Sequence, residues 1–84
     1  MNIIFTNKTR AAWVLQQLKD FIKLYGAATV RDLNQLYGVT WTVKDNLSGW
    51  VDLDSASIGE ESYDIHATEY VLVLPKPVPL SGVV

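Results

Sequence analysis

The sequence predicts an α+β domain: two N-terminal helices packed on one face of a small antiparallel sheet of two hairpins. Three observations predict it. Apolar residues recur at spacings of three and four through the first part of the chain, and at every second position through much of the rest. Glycine stands where each helical pattern stops, at Gly26 and Gly38. A length of 84 residues, 49% of them hydrophobic, holds one small domain and no second.

Asn2 to Phe5 is apolar and β-branched and reads as a short strand. Thr6 or Asn7 then offers a side-chain oxygen to cap a helix. From Lys8 to Tyr25 the stripe Ala11, Val14, Leu18, Phe21 and Tyr25 is helical, widened by Leu15 and Ile22. Thr29-Val30-Arg31-Asp32 is a capping box with Asp in place of Glu, and it opens a second helix, Val30 to Tyr37. That helix would turn Val30, Leu33, Leu36 and Tyr37 inward.

The period then changes from 3.6 to 2. Val39 to Lys44 and Trp50 to Leu53 flank Asp45-Asn46-Leu47-Ser48-Gly49, a hairpin turn signal. Pairing Trp41 with Leu53 and Val43 with Val51 gathers four apolar side chains on one face and puts Gly49 at a bulge that wants positive φ. Trp50 would then point outward beside Lys44, within reach of a cation–π contact. Asp54 to Glu61 reads as a polar connector. Ser62 to His66 and Tyr70 to Leu74 form a second hairpin. The expected domain spans residues 1–75. Residues 76–84, with Pro77 and Pro79, form an extended or disordered tail, because proline cannot join a central strand. Helix, Gly turn, short helix and hairpin together make a winged-helix-like layout.

Composition excludes several function classes. Without cysteine there is no disulfide framework and no thiolate site. No apolar run approaches the roughly 20 residues that span a bilayer, and Lys8 and Arg10 follow the apolar N-terminal stretch where a signal peptide would have them precede it. The expected location is the cytoplasm. The formal net charge is −2, but it is unevenly distributed. Residues 1–44 carry six basic and two acidic groups, and residues 45–84 carry one basic and seven acidic groups.

No catalytic constellation emerges, so no enzyme is expected. Asp64 and His66 fall on one side of a strand, yet no serine stands in a nucleophile context. Asp52 and Asp54 fail the EF-hand spacing, with Ser57 where Gly is needed. No metal and no cofactor is expected. DNA binding is one alternative: Arg31, Asn34 and Gln35 would line the outer face of the 30–37 helix, with Lys19 and Lys23 for phosphates. The sequence pI near 5.1 argues against it. The favoured class is protein binding, by a host or phage partner or by self-association. It would use Trp13, which lies off the helical stripe, together with outward Trp50, Lys44, and the Pro77 and Pro79 tail.

Several segments carry a resemblance in common. They are Tyr25-Gly26, Thr29-Val30-Arg31-Asp32-Leu33, Leu36-Tyr37, Asp45-Asn46, Gly49-Trp50-Val51-Asp52-Leu53, Tyr70 through Pro75, and Pro77-Val78-Pro79-Leu80. With this Asp-Asn-x-x-Gly-Trp hairpin and terminal Leu-Pro-x-Pro-x-Pro-Leu, the chain resembles a small uncharacterised protein family of tailed bacteriophages and prophages. The resemblance implies a phage accessory protein and brings no catalytic residues. The chain departs from the family between Ile58 and Glu69, where Glu60, Glu61 and Asp64 replace the basic residues and Gly turn of the pattern.

Overall fold

The computed structural model describes residues 1–64 and 67–80. It is α+β, with two helices and two three-stranded antiparallel sheets. Strand β1 (Asn2–Phe5) leads into helix α1 (Lys8–Tyr25). Asn7 caps α1 by accepting the Arg10 N–H at 3.1 Å. Gly26 ends it at φ 85°, in the left-handed region where glycine carries no Cβ penalty. The two-residue strand β2 (Ala28–Thr29) runs directly into helix α2 (Val30–Tyr37). The capping box forms as expected. Thr29 Oγ1 accepts the Asp32 N–H at 3.0 Å, and Asp32 Oδ2 accepts the Thr29 N–H at 2.9 Å.

The hairpin expected across residues 39–53 is absent. Val43–Asn46 is a 3₁₀ turn, and only Ser48–Trp50 (β3) is strand. Asp45 accounts for the turn: its Oδ2 accepts the Thr42 N–H at 2.9 Å while its own N–H bonds the Thr42 carbonyl at 3.0 Å. β3 pairs with distant segments. Trp50 lies opposite Ala28 and Gly49 opposite Thr29 on one side. Ser48 lies opposite Pro79 and Gly49 opposite Val78 on the other, where Val78–Pro79 forms β6. The proposed pairs of Trp41 with Leu53 and Val43 with Val51 therefore do not exist. Of those four side chains only Leu53 is buried. Gly49 does not adopt positive φ. Its constraint is close approach, since a Cβ there would lie 2.0 Å from the Ala28 carbonyl oxygen.

The second hairpin is present and longer than expected. It joins β4 (Ser57–Asp64) to β5 (Ala67–Val73), so much of the supposed polar connector is strand. β1 adds to the other edge of β5, from Asn2 opposite Val73 to Phe5 opposite Tyr70. On the N-terminal side of Tyr70, among the described residues, β5 has β4 as its only strand neighbour, and the two run on as a ribbon for about 10 Å. Phe5, Val14, Leu18, Leu33, Trp50 and Leu72 are among the buried core, which lies between the helices and the two sheets. Tyr37 locks α2 to β1: its ring packs edge-on against Phe5 and its hydroxyl donates to the Ile4 carbonyl at 2.7 Å. Among the described residues no helix is long and apolar enough to cross a membrane.

Candidate protein interface

Among the described residues, four of the twelve exposed large apolar side chains fall on one short segment. Val39, Trp41, Val43 and Leu47 are all exposed, Val43 at 76% and Leu47 at 60%. Their backbone is nevertheless fixed. The N–H groups of Gly38 and Val39 both bond the Asn34 carbonyl, at 2.9 and 3.0 Å. The Asp45 carboxylate holds the middle, receiving the Asn34 side-chain amide at 3.3 Å as well as the Thr42 N–H. At the far end the Leu47 carbonyl accepts the Leu80 N–H at 2.9 Å. The segment thus displays apolar side chains from a frame bonded to α2 and to the C-terminal strand. A rigid, solvent-facing apolar display is costly to leave bare and suits an interface.

At its centre the Arg31 guanidinium lies over the Trp41 ring, 3.8 Å from the centroid. Trp41 is 39% exposed, so one part of the ring meets the cation and the rest meets solvent. Arg31 Nε is buried without a hydrogen-bond partner. Lys44 is exposed in the same segment. The cation–π pair therefore joins Arg31 to Trp41, where the sequence led us to expect Lys44 beside Trp50.

Trp50 is no surface residue. It is 2% exposed, and its indole N–H donates to the Pro75 carbonyl at 2.7 Å. An outward Trp50 requires the 39–53 hairpin, which does not form. With β3 paired instead to β2 and β6, its ring falls into the core. Trp13 is 48% exposed, as its position off the stripe implied. It lines an open groove of about 430 Å³ with Asn7, Thr9 and Arg10. Pro77 is half-buried and Pro79 is exposed, within or beside β6.

The residues considered for DNA are distributed differently from that expectation. Arg31 is engaged with Trp41 and Asn34 with Asp45, while Gln35 is exposed. Residues 41–45 thus lie across part of the helix face that would read bases. Lys23 is exposed on α1. Lys19 lines a cleft of about 350 Å³ with Asp52 and Asp54, a poor setting for a phosphate. His66, the second member of the Asp64–His66 pair, lies outside the described residues. Asp52 accepts the Asp54 N–H at 2.7 Å, which closes a local turn.

The sequence points to Lys44 for protein binding, but beside Trp50, and to Arg31 for DNA, and its hairpin register turns Trp41 inward. No periodic signal links Arg31 to a tryptophan ten residues on. The contact exists because the α2 stop and the 3₁₀ turn fold the chain back over the helix. Compared with known proteins, the chain matches no family model, no curated protein and no solved structure.

Proposed function

We propose that this chain is a non-catalytic protein-binding module, a phage-encoded accessory protein working in the host cytoplasm. Its interface would be the Val39–Leu47 segment with Arg31. One observation carries the reading: Trp41, Val43 and Leu47 are exposed side chains on a hydrogen-bonded backbone frame. Exposed aromatic and arginine side chains in such a setting are the residue types that dominate binding energy at protein interfaces. The phage assignment rests on the resemblance of the Asp45-to-Leu53 and Pro75-to-Leu80 motifs. Trp13 and its groove on α1 offer a second, smaller contact. The winged-helix DNA alternative has less to support it, because Arg31 and Asn34 are held against Trp41 and Asp45.

The test is affinity capture from lysates of the host, with wild type compared with a Trp41→Ser, Val43→Ser double variant. Both side chains are exposed, so the variant should melt within a few degrees of wild type. The expected result is a protein retained by wild type and lost with the variant. Identical capture by both chains would refute this interface.

A further inference from the structure

We propose that two copies of this chain pair along β4, antiparallel and across a two-fold axis at Gly59, so that their three-stranded sheets join into one. This surface is separate from Val39–Leu47, and the pairing goes beyond the interface proposed above. Met1 and Leu74 exchange both backbone hydrogen bonds, at 2.9 and 2.8 Å. Alternation from that pair turns Leu72 and Tyr70 toward β1, and Val73, Val71 and Glu69 toward β4. Ser57, Gly59 and Glu61 therefore bond β5, while Ile58, Glu60 and Ser62 turn their N–H and carbonyl groups outward. Among the described residues no strand meets them. The other outer strands are short or obstructed. On β1 the outward Ile4 carbonyl accepts the Tyr37 hydroxyl. β2 is two residues long and its Thr29 N–H bonds Asp32, and β6 is two residues long and ends in Pro79. β4 is eight residues long, with no proline, no lysine and no bulge before Ser62. Such an edge is a template for another strand.

Register identifies the occupant as a second copy. A strand that pairs with its own copy meets itself at the axis. An axis at Glu60 or Glu61 sets two carboxylates directly opposite each other, which a sheet disfavours. An axis at Ile58 asks Ala56 for a donor, and that N–H already bonds the Leu53 carbonyl at 3.0 Å. An axis at Gly59 avoids both faults. It sets Ile58 of each copy opposite Glu60 of the other, which gives about four backbone hydrogen bonds between outward groups. Ser57 then lies opposite Glu61, and Gly59 opposite Gly59. Nothing within the chain calls for glycine at position 59: its φ is not positive, and a Cβ there would meet only the Val71 carbonyl at 3.9 Å. Strand glycines without such a reason often mark close approach by another backbone. One opposing force remains. The two Glu60 side chains become diagonal neighbours about 7–8 Å apart on one face, and their repulsion limits the affinity. Charge thus weakens this contact, and the backbone ladder makes it.

Sedimentation of the full chain tests this. At about 1 mM, where even weak contacts are populated, wild type should form dimers and nothing larger, because a two-fold pairing closes on itself. Two substitutions at one position should then act in opposite directions. Glu60→Pro removes an outward N–H that bonds nothing within the chain, so it should keep the fold and abolish the dimer. Glu60→Gln removes the repulsion and should tighten the dimer at least about twofold. Raising NaCl from about 0.1 to about 1 M should also tighten the wild-type dimer, and Glu60→Gln should respond less. Circular dichroism checks that each variant keeps the wild-type fold. Trp41→Ser with Val43→Ser should leave the dimer unchanged, so failure here and failure of the Val39–Leu47 interface are read separately. Cross-linking tests the register. The chain has no cysteine, so a single introduced one bridges only to its own copy. At the axis the two Gly59→Cys positions lie about 4.5 Å apart at Cα, within disulfide reach, whereas two Ser57→Cys positions are displaced by about 13 Å along the strands. Mild oxidation should therefore link the Gly59→Cys chain much faster. A wild type that stays monomeric at about 1 mM overturns the proposal and leaves the edge to a strand of some other protein. A dimer that survives Glu60→Pro, or equal cross-linking of the two cysteine variants, overturns it as well.

Discussion

Replacing Trp50 by alanine should unfold a large part of the molecules at room temperature or leave them close to the threshold. The ring is 2% exposed and its N–H is bonded to the Pro75 carbonyl at 2.7 Å. Truncating a buried Trp costs roughly 3–5 kcal/mol through lost transfer energy and the cavity left behind. The orphaned Pro75 carbonyl adds roughly 1 kcal/mol. A domain of this length is stable by only about 4–13 kcal/mol. At about 4–8 °C per kcal/mol for so small a domain, the melting temperature should fall by roughly 15–50 °C. Trp50→Phe keeps most of the volume and loses the hydrogen bond, so it should cost only about 1–2 kcal/mol. Thermal melts followed at 222 nm measure both. In native protein, iodide should quench Trp13 and Trp41 and spare Trp50. A Trp50→Ala melting temperature within about 3 °C of wild type would refute the burial and with it the β2–β3–β6 sheet.

Two further substitutions probe the same sheet. Gly49→Ala forces a Cβ to within 2.0 Å of the Ala28 carbonyl and should cost at least about 2 kcal/mol, whereas Gly59→Ala meets only the Val71 carbonyl at 3.9 Å and should change stability by less than about 1 kcal/mol. Urea titration of both variants checks the contrast, and equal effects would contradict the register. Leu80→Ala removes a buried anchor of the C-terminal strand and should cost about 2–4 kcal/mol. Pro79→Ala, exposed at the sheet edge, should shift the same titration by less than about 1 kcal/mol.

The helices were legible almost to the residue because their signals are local. Asn7, Gly26, Thr29, Asp32 and Gly38 are each a cap whose partner lies within four positions. β1 was equally clear. The β4–β5 hairpin was found in its second half and missed in its first, because Gly59, Glu60 and Glu61 resemble a connector in composition. β4 is an edge strand, and an edge tolerates charge that a central strand would not. The second sheet was not legible at all. β2 and β6 are two residues each, too short to show a period, and both pair with β3 from far along the chain. Asp45-Asn46-Leu47-Ser48-Gly49 looked like a hairpin turn because Asp, Asn and Gly serve a 3₁₀ turn as readily as a two-strand reversal.

The misplaced hairpin and the candidate interface have one physical cause. β3 has two edges. β2 takes one, and the returning tail takes the other through Val78–Pro79. The tail is held there at both ends, by the Trp50 indole on the Pro75 carbonyl and by the Leu80 N–H on the Leu47 carbonyl. Successive residues in a strand offer their N–H groups to opposite sides. The Leu80 donor faces the β3 side, so the prolines at 77 and 79 place their missing donors on the outer side. There no ladder is needed, and the edge resists further strands. With both edges of β3 occupied, Val39–Lys44 has no strand to pair with, although its composition suits one. It turns instead on Asp45 and lies against α2. The core is already filled by Trp50, Leu53 and Leu80, so its apolar side chains stay outside. Arg31, on the helix it crosses, is left to cover one face of Trp41. The exposed patch is therefore what strand competition leaves over, and the tail that buries one tryptophan is what presents the other.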